Sequence, residues 1–193
     1  ARLDPAQEEA HLAAWREFLA GEFEGDIFLP PMRTPVATTV EWPTEIHIND
    51  AITDMDLTIL DQLSGVSLTL ETGGNSAHTV RCNYGTAIMP SVMGCDVYVM
   101  PRESGTLPTG LPLHESAKVR QLVGRGIADP RNGMGAITLD TAARMKELFA
   151  DYPNVDRYVN IYHPDAQGTL DIAEMVWGSP LFYAFYEEPE LMC

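Results

Sequence analysis

The amino-acid sequence predicts an α/β fold in which parallel strands alternate with crossover helices. Apolar residues recur at helical spacing in several long segments, and apolar and β-branched residues alternate in shorter ones. These two kinds of segment follow each other along the chain. The order is typical of a parallel sheet, because each parallel connection has to cross back over the sheet. A chain of 193 residues is long enough for one such domain with its own core.

The first predicted helix covers residues 5–20. Asp4 and Pro5 form a favourable N-cap and first turn, and apolar side chains follow at helical spacing. Residues 21–49 are rich in proline and contain short β-like runs, which indicate an extended segment leading into the main fold. Further helices are predicted at 54–72, 86–94, 116–125, 138–150 and 169–177, and the final stretch "SPLFYAFYEEPELMC" predicts a helix with a second helical start.

Three segments between these helices have the composition of strands. They are "AHTVRCNYG", "CDVYVMP" and "DRYVNIY". Because the pattern places helices between them, we expect the strands to run parallel. We also expect each to end in a loop that opens the next helix.

Composition and charge restrict the possible functions. The formal net charge is −16, from 28 acidic and 12 basic residues, and such a surface repels phosphate backbones and anionic lipids. We therefore expect no nucleic-acid or membrane partner. The three cysteines are too few and too scattered for a disulfide framework, which favours reduced thiols and a cytoplasmic location. No local zinc motif, dinucleotide-binding motif or P-loop motif occurs, so no metal site is predicted in this chain.

Two loops follow strand-like runs and are the candidate ligand sites. In parallel α/β folds, ligands bind at the carboxyl ends of the strands, where loops and helix N-termini converge. Thr169 is a plausible N-cap for the helix after the second loop, whose dipole would favour an anionic ligand. The substrate-facing candidates are Asn83, Tyr84, Gly85, His163, Asp165, Gln167, Asp171 and Glu174.

Each candidate also has an ordinary structural interpretation. Asp171 suits the positive end of a helix dipole, Glu174 suits a solvent-facing position, and His163 can simply bond the loop backbone. The residues of the first loop can be turn formers, with Tyr84 a core aromatic whose hydroxyl is satisfied. Cys82 on a strand is interpreted as a small buried hydrophobe. The residues alone indicate a polar site and leave the catalytic residues unknown.

Two stretches resemble a known family. "YGTAIMPSVMGCDVYVMPRESGTLPTGLPL" and "AQGTLDIAEMVWG" resemble the uroporphyrinogen decarboxylase (URO-D) superfamily. That superfamily includes decarboxylases of haem biosynthesis and corrinoid-dependent methyltransferases. The resemblance implies the N-terminal part of a TIM-type (β/α)8 barrel of roughly twice this length. We accordingly divide the chain into an N-terminal helix with an extended leading segment, 1–50, and the first part of a URO-D-like barrel, 51–193, apparently truncated at Cys193.

The residue-level match favours methyl transfer over decarboxylation. Gly85 occupies the position of the decarboxylase's catalytic aspartate, and Glu174 occupies that of its substrate-binding tyrosine. The arginine-rich loop that binds propionate groups in the decarboxylases has only Arg33, in "PPMRTP", as a counterpart. The predicted function is therefore an enzyme of corrinoid- or tetrapyrrole-linked chemistry. The alternatives are uroporphyrinogen decarboxylase itself, a lyase of porphyrin biosynthesis, or a non-catalytic barrel that binds a tetrapyrrole or small acid.

The resemblance also implies the cofactors and partners. Zinc and a corrinoid protein would serve the full-length methyltransferase, with the zinc ligands beyond Cys193 and no cofactor bound by this chain. The substrate would be a small molecule or a corrinoid. A partial barrel leaves open sheet edges, so we expect a dimer or association with the missing barrel half.

Overall fold

The computed structural model describes residues 2–43 and 45–192. Cys193, the third cysteine and the predicted point of truncation, lies outside the described residues. The helices are α1 Pro5–Leu19, α2 Ile48–Ala51, α3 Met55–Thr72, α4 Ile88–Val92, α5 Ser116–Gly124, α6 Gly135–Ala150, α7 Pro153–Tyr158, α8 Thr169–Trp177, α9 Pro180–Glu187 and α10 Pro189–Met192. The strands are β1 Thr79–Arg81, β2 Asp96–Tyr98, β3 Thr109–Leu111 and β4 Asn160–Tyr162.

The chain divides into two compact units. The first unit comprises Ala1–Ile46, Ile59–Arg81 and Ala143–Tyr162, and the second comprises His47–Thr58, Cys82–Ala142 and His163–Cys193. Both contain helices and strands, so the fold is mixed, with a short parallel strand pair. The predicted division at residue 50 stays a prediction. No helix of the described chain is long and apolar enough to span a membrane.

The first unit is built around a parallel pair of strands. β1 and β4 lie side by side, with Val80 opposite Ile161 and Arg81 opposite Tyr162. Val80, Met145 and Phe149 are buried. Helix α1 begins where the sequence predicts, because the Asp4 carboxylate accepts a hydrogen bond from the Ala6 N–H at 2.9 Å.

The second unit contains a strand pair of the opposite kind. β2 and β3 are antiparallel, with Asp96 opposite Leu111. The prediction that "CDVYVMP" belongs to a parallel sheet is therefore wrong. The connection has only a 3-10 turn, Arg102–Ser104, and a left-handed Gly105, whereas a parallel pair needs a longer crossover.

The remaining core of the second unit is formed by helices α5, α8 and α9. Its buried members are Val119, Trp177, Leu181 and Ala184. The helical predictions for this part of the chain are confirmed, and α8 has the predicted range of residues 169–177.

Two further predictions of local structure are corrected. Residues 156–158 of "DRYVNIY" belong to helix α7, and only Asn160–Tyr162 is a strand. Pro153 stands at the first helical position, where its fixed φ favours a helix. Part of the β-like run "EIHIND" instead opens α2, because the His47 side chain caps it by accepting from the Asn49 N–H at 3.1 Å.

Candidate functional site

The two predicted loops leave the carboxyl ends of neighbouring strands. Arg81 and Tyr162 are register partners in the parallel pair, and Cys82 and His163 follow them directly in the chain. Both loops belong to the second unit. The topology that the candidate site requires is therefore present, while the substrate-facing roles of its residues stay predictions.

The first loop holds one buried polar atom with no partner. The side-chain oxygen Oδ1 of Asn83 has no hydrogen bond within the described part of the chain. Tyr84 is completely buried, and its hydroxyl lies 2.6 Å from Oγ1 of Thr141. Burial raises the pKa of Tyr84, outweighing the hydrogen bonds of neighbouring threonines, which lower it. Tyr84 is a neutral core residue, and Asn83 retains an unused acceptor.

Gly85 occupies a position that excludes a side chain. Its φ of +77° lies in the left-handed region. A Cβ atom added there would lie 2.8 Å from Cβ of Leu107 and 3.2 Å from the carbonyl oxygen of Pro108. Backbone conformation and packing thus act together, and a carboxylate could not stand here unless the 107–108 segment moved.

The polar side chains of the second loop interact within the loop. Nδ1 of His163 lies 2.7 Å from the carbonyl oxygen of Pro164, which can only accept, so this nitrogen donates. The Gln167 amide donates to Oδ1 of Asp165 at 2.9 Å. His163 is exposed, and the other two are half-buried. These bonds define the shape of the loop.

Helix α8 carries the last two candidates. Gly168, rather than the predicted Thr169, is the N-cap, and it provides no side-chain hydrogen bond. Asp171 is exposed in the first turn and Glu174 is half-buried. Within residues 2–43 and 45–192, neither carboxylate forms a side-chain hydrogen bond or an ion pair. Both are available to a ligand or to solvent.

The cysteines of the second unit do not fit a metal site. Cys82 and Cys95 are buried, and burial raises the pKa of Cys82 to about 11 and also raises that of Cys95. A zinc-bound thiolate needs the opposite environment. No group of three or more His, Cys, Asp or Glu side chains suited to a metal ion occurs among the described residues.

The first unit contains a buried charged network that the sequence analysis did not identify. Arg33 donates from Nε to Oε1 of Glu8 at 2.8 Å and from Nη2 to Oε2 at 2.9 Å. Its Nη1 donates to the carbonyl oxygens of Gly74 and Ser76, both at 2.8 Å. His78 approaches the same carboxylate, with Nε2 3.3 Å from Oε1. Glu8, Arg33 and His78 are all buried.

The protonation states in this network have physical causes. Burial opposes the charge on Glu8, but the Arg33 hydrogen bond and nearby positive charge lower its pKa below the ordinary value. Burial first, and then the Arg33 charge, lower the pKa of His78. The same two causes lower the pKa of His11. The network is thus an ionised Glu8–Arg33 pair beside two neutral imidazoles.

A cavity of about 480 Å³ lies beside this network, with all of its lining in the first unit. The network contributes Glu8, Arg33, His11 and His78 to the wall. The rest of the lining comprises Leu12, Ala77, Lys146, Phe149, Asp156, Arg157, Tyr158, Val159, Asn160 and Ile161. One signal in the sequence could have indicated the buried network. In helix α1, Glu8 and His11 share a face with the apolar residues Leu12 and Trp15.

No family model, curated protein or solved structure matches this chain.

Proposed function

We propose that this chain belongs to an enzyme of the URO-D superfamily that acts in corrinoid- or tetrapyrrole-linked chemistry, with methyl transfer rather than decarboxylation as its reaction. The observation that carries the proposal is Gly85. A decarboxylase of this kind needs a carboxylate there to stabilise positive charge on a protonated pyrrole. The left-handed backbone and the 2.8 Å approach of Leu107 leave no room for one.

Arg33 supports the same conclusion. An arginine that binds a substrate propionate must have N–H groups free for it. Four N–H bonds of Arg33 go to Glu8, Gly74 and Ser76 inside the first unit. Arg33 therefore acts as a structural cation. It offers no free pair of N–H groups to the carboxylates of an acidic tetrapyrrole.

Other features are compatible with the superfamily and support a ligand site at the loops. β1 and β4 are adjacent and parallel, as neighbouring strands of a TIM-type barrel are, but the connection between them contains the antiparallel pair β2–β3 as well as helices. Oδ1 of Asn83 is a buried acceptor without a partner. The atom has almost no accessible surface, so a tetrapyrrole N–H group or a corrin amide would donate to it only after the loop shifts. We also propose that the protein is cytoplasmic. It would form a dimer or associate with further barrel strands.

Zinc does not fit the described residues of this chain. The available thiols are buried and protonated, and no ligand cluster surrounds them. In the proposal, the zinc ligands come from residues outside this chain, as the resemblance implies. The second unit contributes substrate contacts, with Asn83 accepting a hydrogen bond.

The test is a paired assay of the complete polypeptide that carries this sequence. We expect loss of the methyl group from methylcobalamin in the presence of a thiol acceptor, followed by its absorption spectrum. We expect no decarboxylated product from uroporphyrinogen by liquid chromatography. Decarboxylation would contradict the proposal. Binding of either compound without product would instead favour the non-catalytic barrel.

Substitution of Asn83 links the assay to the site. Asn83→Asp keeps the acceptor and loses the amide donor, whereas Asn83→Leu removes both. We expect the aspartate variant to retain methyl transfer and the leucine variant to raise KM several-fold, since one hydrogen bond contributes about 1 kcal/mol. An unchanged KM for Asn83→Leu would remove this residue from the site.

A further inference from the structure

A cluster of aromatic rings joins the end of helix α1 to the segment that follows it. The rings of Phe18 and Phe28 are stacked with their centroids 4.2 Å apart, and Phe23 meets them edge-on at 6.1 and 5.4 Å. The ring of Trp15 lies 4.9 Å from that of Phe28. All four residues belong to the first unit. Because these contacts bring the four rings together, their neighbours in the chain also lie close to one another.

Large apolar side chains beside this cluster are exposed to solvent. Leu19 is 76% exposed, Ile27 75% and Leu29 72%. Each is the direct neighbour of a clustered ring, since Leu19 follows Phe18 and the other two flank Phe28. Single exposed apolar residues are ordinary on a protein surface, whereas several close together mark an interaction site. The cluster therefore has an outer side that no described residue covers.

Four carboxylates lie within two residues of the clustered rings. They are Glu17, Glu22, Glu24 and Asp26, and all of them are exposed. Within residues 2–43 and 45–192, none of them forms an ion pair or a side-chain hydrogen bond. The Glu22 N–H donates to the Glu17 carbonyl oxygen at 3.0 Å, which keeps the first two close together where helix α1 ends. Arg16 is the only basic residue in residues 15–29, so the surface carries uncompensated negative charge.

This charge selects the kind of partner that fits the surface. A second copy docked on the same patch would oppose four carboxylates with four more, and like charges across an interface are unfavourable. Nucleic acids and anionic lipids are repelled for the same reason. A basic amphipathic helix has an apolar face flanked by Lys and Arg side chains. It covers exposed apolar side chains and neutralises the carboxylates around them in one contact.

We propose that residues 15–29 form a docking surface for a basic amphipathic helix of a partner protein. The helix packs its apolar face on Leu19, Ile27 and Leu29, and its Lys and Arg side chains pair with the surrounding carboxylates. The loops that carry the ligand-site candidates belong to the second unit, whereas this surface belongs to the first. The inference is therefore independent of the proposed methyl transfer.

A matched pair of synthetic peptides tests the docking surface directly. Both peptides form amphipathic helices with leucine on the apolar face, and the polar face carries lysine in one and glutamate in the other. Calorimetric titration of the 193-residue chain is expected to show micromolar binding of the lysine peptide. The glutamate peptide should bind at least about tenfold more weakly. Equal affinities, or no binding of the lysine peptide, would overturn the proposal.

Charge variants separate this surface from the general acidity of the protein. The triple variant Glu22→Gln, Glu24→Gln and Asp26→Asn should weaken the lysine peptide by about tenfold. A control variant removes the same charge from exposed positions of the first unit outside residues 15–29, and should leave the affinity unchanged. Its substitutions are Glu41→Gln, Glu45→Gln and Asp151→Asn. Equal losses for the two triple variants would mean that the peptide responds to net charge alone, which contradicts the assigned surface.

Apolar variants test the other half of the contact. Ile27→Ser combined with Leu29→Ser should weaken the lysine peptide by about tenfold. Folding should be unaffected, because both side chains lie mostly in solvent. Val123→Ser combined with Ile127→Ser alters an exposed apolar pair of the second unit and should have no effect on binding. Unchanged binding by the first pair of substitutions would refute docking at this surface.

Two other occupants of the surface would give different results. If a second copy covers it, sedimentation velocity will show a dimer that Ile27→Ser combined with Leu29→Ser dissociates. If other residues of the complete polypeptide cover it, the lysine peptide will bind the 193-residue chain and not the complete polypeptide. Either result would replace the partner helix with that occupant and overturn the proposal.

Discussion

The two units solve the problem of buried polar groups in different ways. The first unit buries a complete ion pair, Glu8–Arg33, and surrounds it with neutral histidines. The second unit buries few charges: Tyr84 meets Thr141 through hydroxyl groups, and the cluster around Trp177 is otherwise apolar. The described residues at the loops instead rely on close backbone packing, most clearly at Gly85.

The difference concerns what fixes each conformation. In the first unit, one guanidinium holds a helix side chain and two backbone carbonyls, so loss of a single charge leaves several partners unsatisfied. In the second unit, contact distance and backbone torsion decide which residue can stand at a position. We therefore expect the first unit to respond most to changes of charge and the second to changes of volume.

The largest effect is expected from Arg33→Met. It leaves the Glu8 carboxylate buried and unpaired, which destabilises a protein by about 3–5 kcal/mol. The free energy of unfolding from urea titration measures this. The double variant Glu8→Gln with Arg33→Met should recover much of the loss, because the uncompensated charge is gone. Arg157→Met, which removes an exposed partner of Glu9, should have only a slight effect. Equal losses of unfolding free energy for Arg33→Met and Arg157→Met would contradict the special role of the buried ion pair in the first unit.

The next effect is expected from Gly85→Ala. The left-handed backbone costs a residue with a side chain about 1–2 kcal/mol, and the contact with Leu107 adds about 1–3 kcal/mol of overpacking. Gly105→Ala is the matched control, since Gly105 has φ +59° and open space around its Cβ position. The difference between the two variants in urea unfolding isolates the packing term. If they lose the same stability, the loop is less constrained than its geometry indicates.

The smallest effect is a dependence of stability on pH that originates in the first unit. The pKa of His78 and of His11 is lowered from an ordinary value of 6.5, and that of Glu8 from 4.5. The groups facing His78 are Glu8, Arg33 and His11. Because the unfolded chain binds protons that the folded chain does not, stability is fully present above pH 6.5. It falls as the pH decreases, with Glu8 adding to the loss below 4.5.

The measurement is urea unfolding at a series of pH values. Each histidine contributes a slope of at most about 1.4 kcal/mol per pH unit. His78→Gln should therefore make the curve less steep between pH 6 and 5 than that of the wild-type chain. Parallel curves would mean that His78 protonates equally in both states, and the neutral imidazole would have to be abandoned.

The sequence predicts the helices well because their signals are local. Apolar spacing, the Asp4 cap and the glycines at helix ends lie within a few residues of what they determine. The antiparallel pairing of β2 depends instead on a turn that returns the chain to Leu111, and the composition of a strand does not specify its partner. Residues 156–158 have the composition of a strand but end helix α7, because Pro153 favours the helical turn that follows it.

The polar sites likewise include one part that local sequence signals predict and one part that depends on long-range contacts. The loops after β1 and β4 follow from the strand pattern, and their role as a ligand site stays a prediction. The network of Glu8, Arg33 and His78 joins residues 25 and 70 positions apart, so no window of sequence contains it. The helix dipole is a sufficient local explanation for Glu8 near a helix start. The sequence therefore gives no reason to expect its pairing with Arg33. The available signal was that Glu8 lies on the same face of helix α1 as His11.

The parallel pair of the first unit has a consequence for the order in which the chain can fold during synthesis. The Leu3 carbonyl accepts from Asn154, 151 residues later, and Glu9 meets Arg157 after 148. At about 5–20 residues per second, β1 leaves the ribosome several seconds before its partner β4 exists. Through that interval Val80 is on an unpaired strand, and closing the long loop costs entropy before any contact compensates for it. We expect the nascent chain to need protection from a chaperone until residue 162 is available.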